Sequence, residues 1–420
     1  MACFKPGRVM GQPSGGSLTG GQTFLGGRLL HVACLKETAM PEAAAAAVAR
    51  VHCRAPAGEL QARAQQRQLK RIGRAMSFRR LVQLVVDDVG LRRSYSLRSI
   101  DMSHLFRRPP RESTGDCGRP DQPPPPEEDH EMKPCPLPAP TMTFYPPRRL
   151  YYDGEMAFML LGGRHNKVVA ADQTGRAVLY DPDQHAVRTL RGFAALKSMP
   201  ASLTVDEDHL YVLGTVPCGD GRYFECHEFD HDGDEDWHPR VLPPPPYMYG
   251  ERRRGDPLRG VDSYATVSDG GLTRILVSKA RIGTYSFDTA AEAWSKAGDW
   301  MLPFSGRAED DGPCTFCAVD LAAATARRPP AVRNLWKDFA PPAEWMVFPP
   351  VSCLVHLGSA RFCIARFFTT DLLGPYPVGH AVFTAVEVER CAAADGGLRM
   401  VKHGSLYMLL HEMQMIPWVL

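Results

Sequence analysis

One strand-and-turn pattern recurs along this chain of 420 residues. Each copy has an apolar run that ends in an acidic residue, then a short turn, and then a second strand-like run. The clear copies are GRAVLYDPDQHAVRTL, YFECHEFDHDGDEDWHPRVL, GTYSFDTAAEAWSKAG and TFCAVDLAAATARRP, with acidic residues at Asp181, Asp230, Asp288 and Asp320. Looser copies centre on Glu389 and Asp101. A carboxylate in this position can accept hydrogen bonds from turn amides, so the pattern predicts a repeated β-hairpin.

The spacing of these hairpins indicates the architecture. The acidic positions bracket the period of about 40 to 50 residues that is typical of propeller blades. Trp237 and Trp294 follow two of the turns and are expected to pack between neighbouring blades. The sequence therefore predicts an all-β fold, a kelch-like β-propeller of about six blades and possibly incomplete. Seven blades and an open ring are the alternatives.

Changes in composition predict two regions. Residues 76–420 carry the short strand-like runs and form the predicted propeller, with a Pro-rich loop at 107–147 whose prolines cannot continue a sheet. Residues 1–75 form a low-complexity basic extension, which is expected to be disordered or weakly helical. An organellar transit peptide and an error in gene prediction are the alternatives for this extension.

Charge, hydropathy and cysteine usage narrow the function classes. The net charge is +2, but residues 1–75 alone carry eleven Lys or Arg and three Asp or Glu, so the remainder is acidic. Nucleic-acid binding, which needs clustered basic residues on the folded surface, is therefore not expected. No apolar run has the length of a membrane span, so no membrane association is expected. The irregular spacing of twelve cysteines favours reduced thiols in an intracellular compartment.

Three motifs could suggest a metal or redox site, and each fails on geometry. Cys314 and Cys317 form a CxxC pair without a second pair, and in a strand they would point to opposite faces. The run Asp230–Asp236 imitates a calcium loop but has Glu235 where glycine is needed and lacks the final glutamate. Cys226 and His227, near His231, also face opposite ways in a strand. We expect no catalytic residue, metal or cofactor, and no enzyme activity.

The best candidate for a partner surface is the segment PPPPYMYGERRR, which ends at Arg254. Its prolines hold the backbone extended, and tyrosine and arginine often dominate interfaces. The predicted contact residues are Trp237, Tyr247, Tyr249, Arg252, Arg253 and Arg254. An ordinary solvated loop is the alternative interpretation.

Several segments also resemble a known family: FMLLGGRHNKVVAADQTGRAVLYD, GTYSFDTAAEAWSKAGDW, CLVHLGSARFCIARFF, FTAVEVERC and LRMVKHGSLYM. They are similar to a plant family of unknown function that is expanded in grasses, the domain of unknown function 1668 type. The resemblance covers residues 76–420 and extends, more distantly, to kelch propellers attached to F-box domains. It implies a propeller fold but no activity, substrate or catalytic residue. Where relatives would have a strand pair between FSGRAE and CAVDL, this chain has only DDGPCTF.

These observations favour a non-catalytic propeller that serves as a protein-interaction module. The alternatives are an enzyme or small-molecule binder that uses the central channel, and a degenerate product of a duplicated gene. We expect an unknown protein partner, a monomeric state and a location in the cytoplasm or nucleus. An organelle is the alternative location if residues 1–75 act as a transit peptide.

Overall fold

The computed structural model describes residues 79–420, apart from the segments 89–91, 107–133, 148–153, 164, 195–196, 217–221, 232–235, 249–259, 270–271, 304–314, 322–323, 338, 371–377, 391–396 and 411–413. The predicted basic extension, residues 1–75, lies outside the described residues, as does most of the Pro-rich loop. Within the described part, regular structure is almost entirely β-strand, with one turn of 3-10 helix at Pro246–Met248. The expected all-β class is confirmed.

Five antiparallel four-stranded sheets form the blades of a β-propeller. Blade 1 consists of β22 (Gln414–Val419), β1 (Leu81–Asp88), β2 (Ser94–Asp101) and β3 (Met142–Phe144). Blade 2 consists of β4 (Met156–Leu161), β5 (Lys167–Asp172), β6 (Ala177–Asp181) and β7 (Ala186–Leu190). Blade 3 consists of β8 (Ser198–Val205), β9 (His209–Val216), β10 (Phe224–Phe229) and β11 (Trp237–Leu242).

The remaining strands form two further blades and one smaller sheet. Blade 4 consists of β12 (Ser263–Asp269), β13 (Leu272–Lys279), β14 (Gly283–Asp288) and β15 (Ala293–Gly298). Blade 5 consists of β18 (Met346–Gly358), β19 (Arg361–Thr370), β20 (Val378–Arg390) and β21 (Leu398–Leu410). Between them in the chain lies a two-stranded sheet of β16 (Thr315–Asp320) and β17 (Ala331–Lys337). The described residues thus form five full blades and two additional strands, and the prediction of about six blades is not confirmed.

Apolar clusters pack neighbouring sheets against one another. Blade 1 packs on blade 2, blade 2 on blade 3 and blade 3 on blade 4. The two-stranded sheet packs on blade 5, and blade 5 packs on blade 1. Strand β5, KVVAAD, shows the sequence logic: it is almost wholly apolar because both of its faces are covered by neighbouring sheets.

The C-terminal strand joins the two ends of the described chain within one sheet. Strand β22 pairs antiparallel with β1, so blade 1 is built from both ends of the propeller. Leu420 exchanges backbone hydrogen bonds with Gln83, and the Arg79 guanidinium donates to the Leu420 carbonyl oxygen at 2.6 Å. These contacts join residues from the two ends of the propeller sequence, and they therefore hold its first strand to its last.

The strand order gives the ring two different faces. The inner strands are β22 in blade 1 and the first strand of each other blade, since β4 contacts β8, β8 contacts β12 and β18 contacts β22. Counted from the inner strand outwards, neighbouring strands of a blade run antiparallel. The connections between blades and the turns between second and third strands therefore lie on one face, which we call the connecting face. The turns between first and second strands and between third and fourth strands lie on the other, which we call the hairpin face.

The repeated hairpin predicted from the sequence lies on the hairpin face. Asp181 ends β6 and accepts hydrogen bonds from the amides of Asp183 and Gln184, at 3.0 and 3.1 Å. Asp288 ends β14 and accepts bonds from the amides of Ala290 and Ala291, each at 3.0 Å. The predicted role of these aspartates in closing the turn is confirmed.

The two tryptophans that follow these turns pack between blades, as expected. Trp237 lies in the apolar cluster shared by blades 2 and 3. Trp294 of blade 4 contacts Phe224 of blade 3, with ring centroids 5.7 Å apart. These aromatic side chains therefore join blades whose strands are far apart in the sequence.

Candidate partner surface

The predicted partner segment begins in the connection between blades 3 and 4, on the connecting face. Its described part, residues 243–248, is held by blade 4 at several points. The indole Nε1 of Trp294 donates a hydrogen bond to the Pro243 carbonyl oxygen at 2.7 Å. The Tyr247 hydroxyl donates to the Gly260 carbonyl oxygen at 3.3 Å, and Met248 is buried in the cluster shared by the two blades. The start of the segment is therefore firmly seated.

Tyr247 itself contributes mainly to this seating. Its ring lies 5.3 Å from the ring of Tyr285, and it is only partly exposed. Burial, together with nearby Asp262 and Tyr285, raises the pKa of its hydroxyl, so the group stays protonated and can donate to Gly260. Tyr247 thus anchors the segment and leaves only part of its ring for another protein.

The other predicted contact residues divide into two groups. Trp237 is only 4% exposed and contacts Phe229 and His165, so its indole has little free surface. Tyr249, Arg252, Arg253 and Arg254 lie outside the described residues. Their part in a partner surface therefore stays a prediction, and the structure describes only the preceding residues 243–248.

A second surface feature of the connecting face belongs to blade 5 and has no repeated motif in the sequence. Three apolar side chains near the ends of its strands are 38 to 44% exposed: Met346, Val378 and Leu409. Beside them Trp345 stacks on His380, with ring centroids 4.2 Å apart. The His380 ring nitrogens also contact the Tyr407 hydroxyl at 2.8 Å and the Thr370 hydroxyl at 3.1 Å. This arrangement gives blade 5 a rigid aromatic base with apolar neighbours.

A buried ion pair lies where the connection from blade 2 reaches blade 3. The Lys197 ammonium contacts the Glu225 carboxylate, and both side chains are almost completely buried. Lys197 also donates to the Arg222 carbonyl oxygen at 2.7 Å, and Glu225 accepts from the Ala194 amide at 3.0 Å. These bonds fasten the connection to strand β10. Sequence reasoning missed the pair because isolated Lys and Glu residues usually indicate solvent exposure.

His227 lies on the same face of β10 as Glu225 and is completely buried. Its ring packs against Phe193 at 4.6 Å, and within the described part of the chain neither ring nitrogen has a hydrogen-bond partner. Burial, with a smaller effect of Lys197, lowers the pKa of this imidazole to about 4. His227 is therefore a neutral core residue near neutral pH.

The predicted opposite orientation of Cys226 and His227 is confirmed. Cys226 packs in the cluster shared by blades 3 and 4, and burial raises the pKa of its thiol to about 12. His231 instead lies on the hairpin face, where its Nε2 is 3.0 Å from Asp208. His165 of blade 2 approaches the other oxygen of the same carboxylate at 3.3 Å. In the described segments, no three His, Cys, Asp or Glu side chains form a cluster suited to a metal ion.

Two further observations concern the predicted sites. Residues 232–235 of the calcium-like run and Cys314 of the CxxC pair lie outside the described residues. The described parts of the chain contain no helix that is long and apolar enough to cross a membrane.

The fold is a β-propeller. Its connecting face contains the well-packed residues 243–248 and the exposed apolar side chains of blade 5. Comparison with protein families adds the identity of the group to which it belongs. A family model described as "Protein of unknown function (DUF1668)" matches residues 79–409, and the chain belongs to this family. The resemblance noted from the sequence is confirmed at this level. A search of curated proteins finds no match.

Proposed function

We propose that this chain is a non-catalytic, kelch-like propeller that binds another protein through its connecting face. The observation that supports this proposal is the seating of residues 243–248. Trp294, Tyr247 and Met248 hold the start of the predicted partner segment against blade 4. A preorganised base lowers the entropy lost when a loop binds a partner. The proposed partner contacts are the aromatic and basic side chains that follow this base in the sequence.

The exposed apolar groups of blade 5 also favour the connecting face as the binding surface. Met346, Val378 and Leu409 lie at the connecting-face end of their strands, next to the stacked Trp345 and His380. Exposed apolar groups beside a fixed aromatic ring are typical of interaction surfaces. We propose a monomeric propeller in the plant cytoplasm or nucleus, with one face that binds proteins.

The experiment compares partner recovery by matched charge-reversal variants of the full chain. The partner-segment variant is R252E/R253E, and the control is R327E/R328E, whose arginines are exposed in the turn between β16 and β17. Each protein is expressed at native level in plant tissue and recovered with its bound proteins. We expect the wild type and the control to recover the same partners. R252E/R253E should recover at least about tenfold less of these partners. Recovery of no partner above background, or an equal loss in both variants, would argue against the proposal.

A separate experiment tests the proposed location. Residues 1–75 are fused to a fluorescent reporter, and the full chain is imaged beside the fusion. Diffuse cytoplasmic or nuclear signal from both supports the proposal. Import of the reporter into an organelle would instead assign residues 1–75 as a transit peptide.

We also propose that β16 and β17 are the outer half of a sixth blade. Their sheet packs on blade 5 through Phe316, and Leu321, the residue after β16, packs on the apolar cluster of blade 4. This position between two full blades is where a sixth blade of the ring would stand.

A further inference from the structure

The connecting-face end of blade 5 has an exposed apolar surface on one side of its sheet. His380 pairs with Leu409 across β20 and β21, and Val378 lies two residues before His380, so the three side chains share one face. The same face packs on Phe316 of the two-stranded sheet. Val378 and Leu409 are 38 and 42% exposed, so this end of the face is open to solvent.

Trp345 lies on this surface in a fixed orientation. Its indole stacks on His380 at 4.2 Å with an angle of 19° between the ring planes. The His380 ring nitrogens contact the hydroxyls of Tyr407 and Thr370, which hold the imidazole in place. The indole also packs on the buried Phe368, with ring centroids 5.5 Å apart. Trp345 is partly exposed, so a rigid aromatic ring is presented beside the two apolar side chains.

A carboxylate adjoins this ring. Glu344 directly precedes Trp345 in a turn that is closed by a 3.0 Å hydrogen bond from the Trp345 amide to the Pro342 carbonyl oxygen. Burial lowers the pKa of His380, and the negative charge of Glu344 opposes this shift, which shows that the carboxylate lies near the stacked rings. Within the described part of the chain, the exposed Glu344 carboxylate makes no ion pair or hydrogen bond.

Glu344 also sets the charge of this end of the blade. The described stretches that form the connecting-face end of blade 5 are residues 339–346, 366–370, 378–384 and 404–410. In these stretches Glu344 is the only exposed residue with a formal charge, since Arg366 is buried. The surface therefore combines apolar side chains and an aromatic ring with a single negative charge.

An indole beside a carboxylate suits an arginine side chain. A guanidinium is planar, so it can stack on an aromatic ring and donate two parallel hydrogen bonds to a carboxylate. Lysine has a compact ammonium group and cannot make the two-bonded contact. An acidic side chain would be repelled by Glu344. Val378 and Leu409 favour apolar residues on either side of the arginine.

We propose that Glu344, Trp345, Val378 and Leu409, which we call the blade-5 patch, bind a segment of a partner protein that has an arginine between apolar residues. The guanidinium stacks on Trp345 and pairs with Glu344, and the flanking side chains cover Val378 and Leu409. This inference rests on the proposed binding of proteins by the connecting face, and it specifies the chemistry of the partner.

Short synthetic peptides test the proposal with the full chain. The probes are fluorescently labelled peptides of the form Gly-Ser-Leu-X-Val-Ser-Gly, in which X is arginine, citrulline or lysine. Citrulline has the shape of arginine without its charge. Fluorescence anisotropy measures the affinity of each peptide. We expect the arginine peptide to bind at least about tenfold more tightly than the citrulline peptide, with the lysine peptide between them.

Two pairs of matched variants show whether binding occurs at the blade-5 patch. E344Q removes the patch charge, whereas E207Q makes the same change at an exposed position of the hairpin face. We expect E344Q to abolish the preference for arginine over citrulline and E207Q to retain it. V378S should weaken all three peptides alike, whereas V332S, which changes another exposed valine, should have no effect. Circular dichroism establishes that the variants remain folded.

Three outcomes would overturn the proposal. They are equal affinities for the arginine and citrulline peptides, no binding of any peptide at about 1 mM, and equal effects of E344Q and E207Q. Self-association of the full chain that V378S alone abolishes would instead assign the patch to a second copy. If these peptide tests fail while partner recovery still depends on Arg252 and Arg253, only the inference about the blade-5 patch is lost. The proposed function then stands.

Discussion

Trp294 and Pro243 are 51 residues apart in the sequence, yet the indole Nε1 of one donates a 2.7 Å hydrogen bond to the carbonyl oxygen of the other. The bond joins the fourth strand of blade 4 to the connection that leaves blade 3. It links a residue of the repeated hairpin to the first residue of the partner segment. Trp294 therefore contributes both to the packing between blades 3 and 4 and to holding the start of the partner segment in place.

Replacing Trp294 with phenylalanine should loosen the partner segment. W294F keeps an aromatic ring but loses the indole donor, so we expect a loss of about 1 kcal/mol in the free energy of unfolding. Hydrogen exchange at residues 247–248 should become faster. Trp300, whose indole donates to the Thr325 carbonyl oxygen, provides the matched variant W300F. W300F should leave exchange at residues 247–248 unchanged, and an equal effect there would contradict the assigned role of Trp294.

Removing only one member of the buried pair Lys197–Glu225 should be strongly destabilising. K197M would leave the Glu225 carboxylate buried without its cation, which typically costs about 3 to 5 kcal/mol. The double variant K197M/E225Q removes both charges and should recover much of that loss. Urea unfolding of the three proteins measures the effect. A double variant that is no more stable than K197M would show that the charge imbalance is not the cause.

Acid should destabilise the propeller through His227. The folded-state pKa is about 4, below the ordinary histidine value of 6.5, so the folded state resists protonation more than the unfolded chain does. The contribution is complete above about pH 6.5 and is lost as the pH falls towards 4, by roughly 3 kcal/mol. H227Q should reduce the dependence of unfolding free energy on pH in this window. H104Q, which changes an exposed histidine, is the control and should behave as the wild type.

The stabilising contribution of Asp181 to its turn should be lost at a lower pH than the contribution of His227. Burial alone would raise the pKa of this carboxyl, but hydrogen bonds from the Gln184 and Asp183 amides and from Lys167 lower it overall. Its stabilising effect is therefore present above the unfolded pKa and is lost as the pH falls through the lower, folded value. D181A should lower the melting temperature at pH 7 and have a smaller effect near pH 2. An effect of D181A that is the same at both pH values would contradict this account.

The repeated hairpins could be predicted because their determinants are local. An aspartate, the turn amides that it accepts and the strand beside it all lie within a few residues, as at Asp181. The placement of Trp294 between blades followed from its fixed distance to the turn. The partner surface was harder to assess, since exposure depends on what packs against each residue. Tryptophan is a residue type common at interfaces, but Trp237 is buried. The exposed apolar side chains of blade 5, in contrast, belong to no sequence motif.

The sequence by itself determined the β class, the repeated hairpins and the turn aspartates, because short-range periodicity and turn chemistry suffice for these features. Only the tertiary structure decided how many full blades there are, that the last strand completes the first blade, and that Lys197 and Glu225 meet in the interior. These features join segments far apart in the chain. Their free energies come from desolvation and packing between blades, which depend on neighbours that no local pattern specifies.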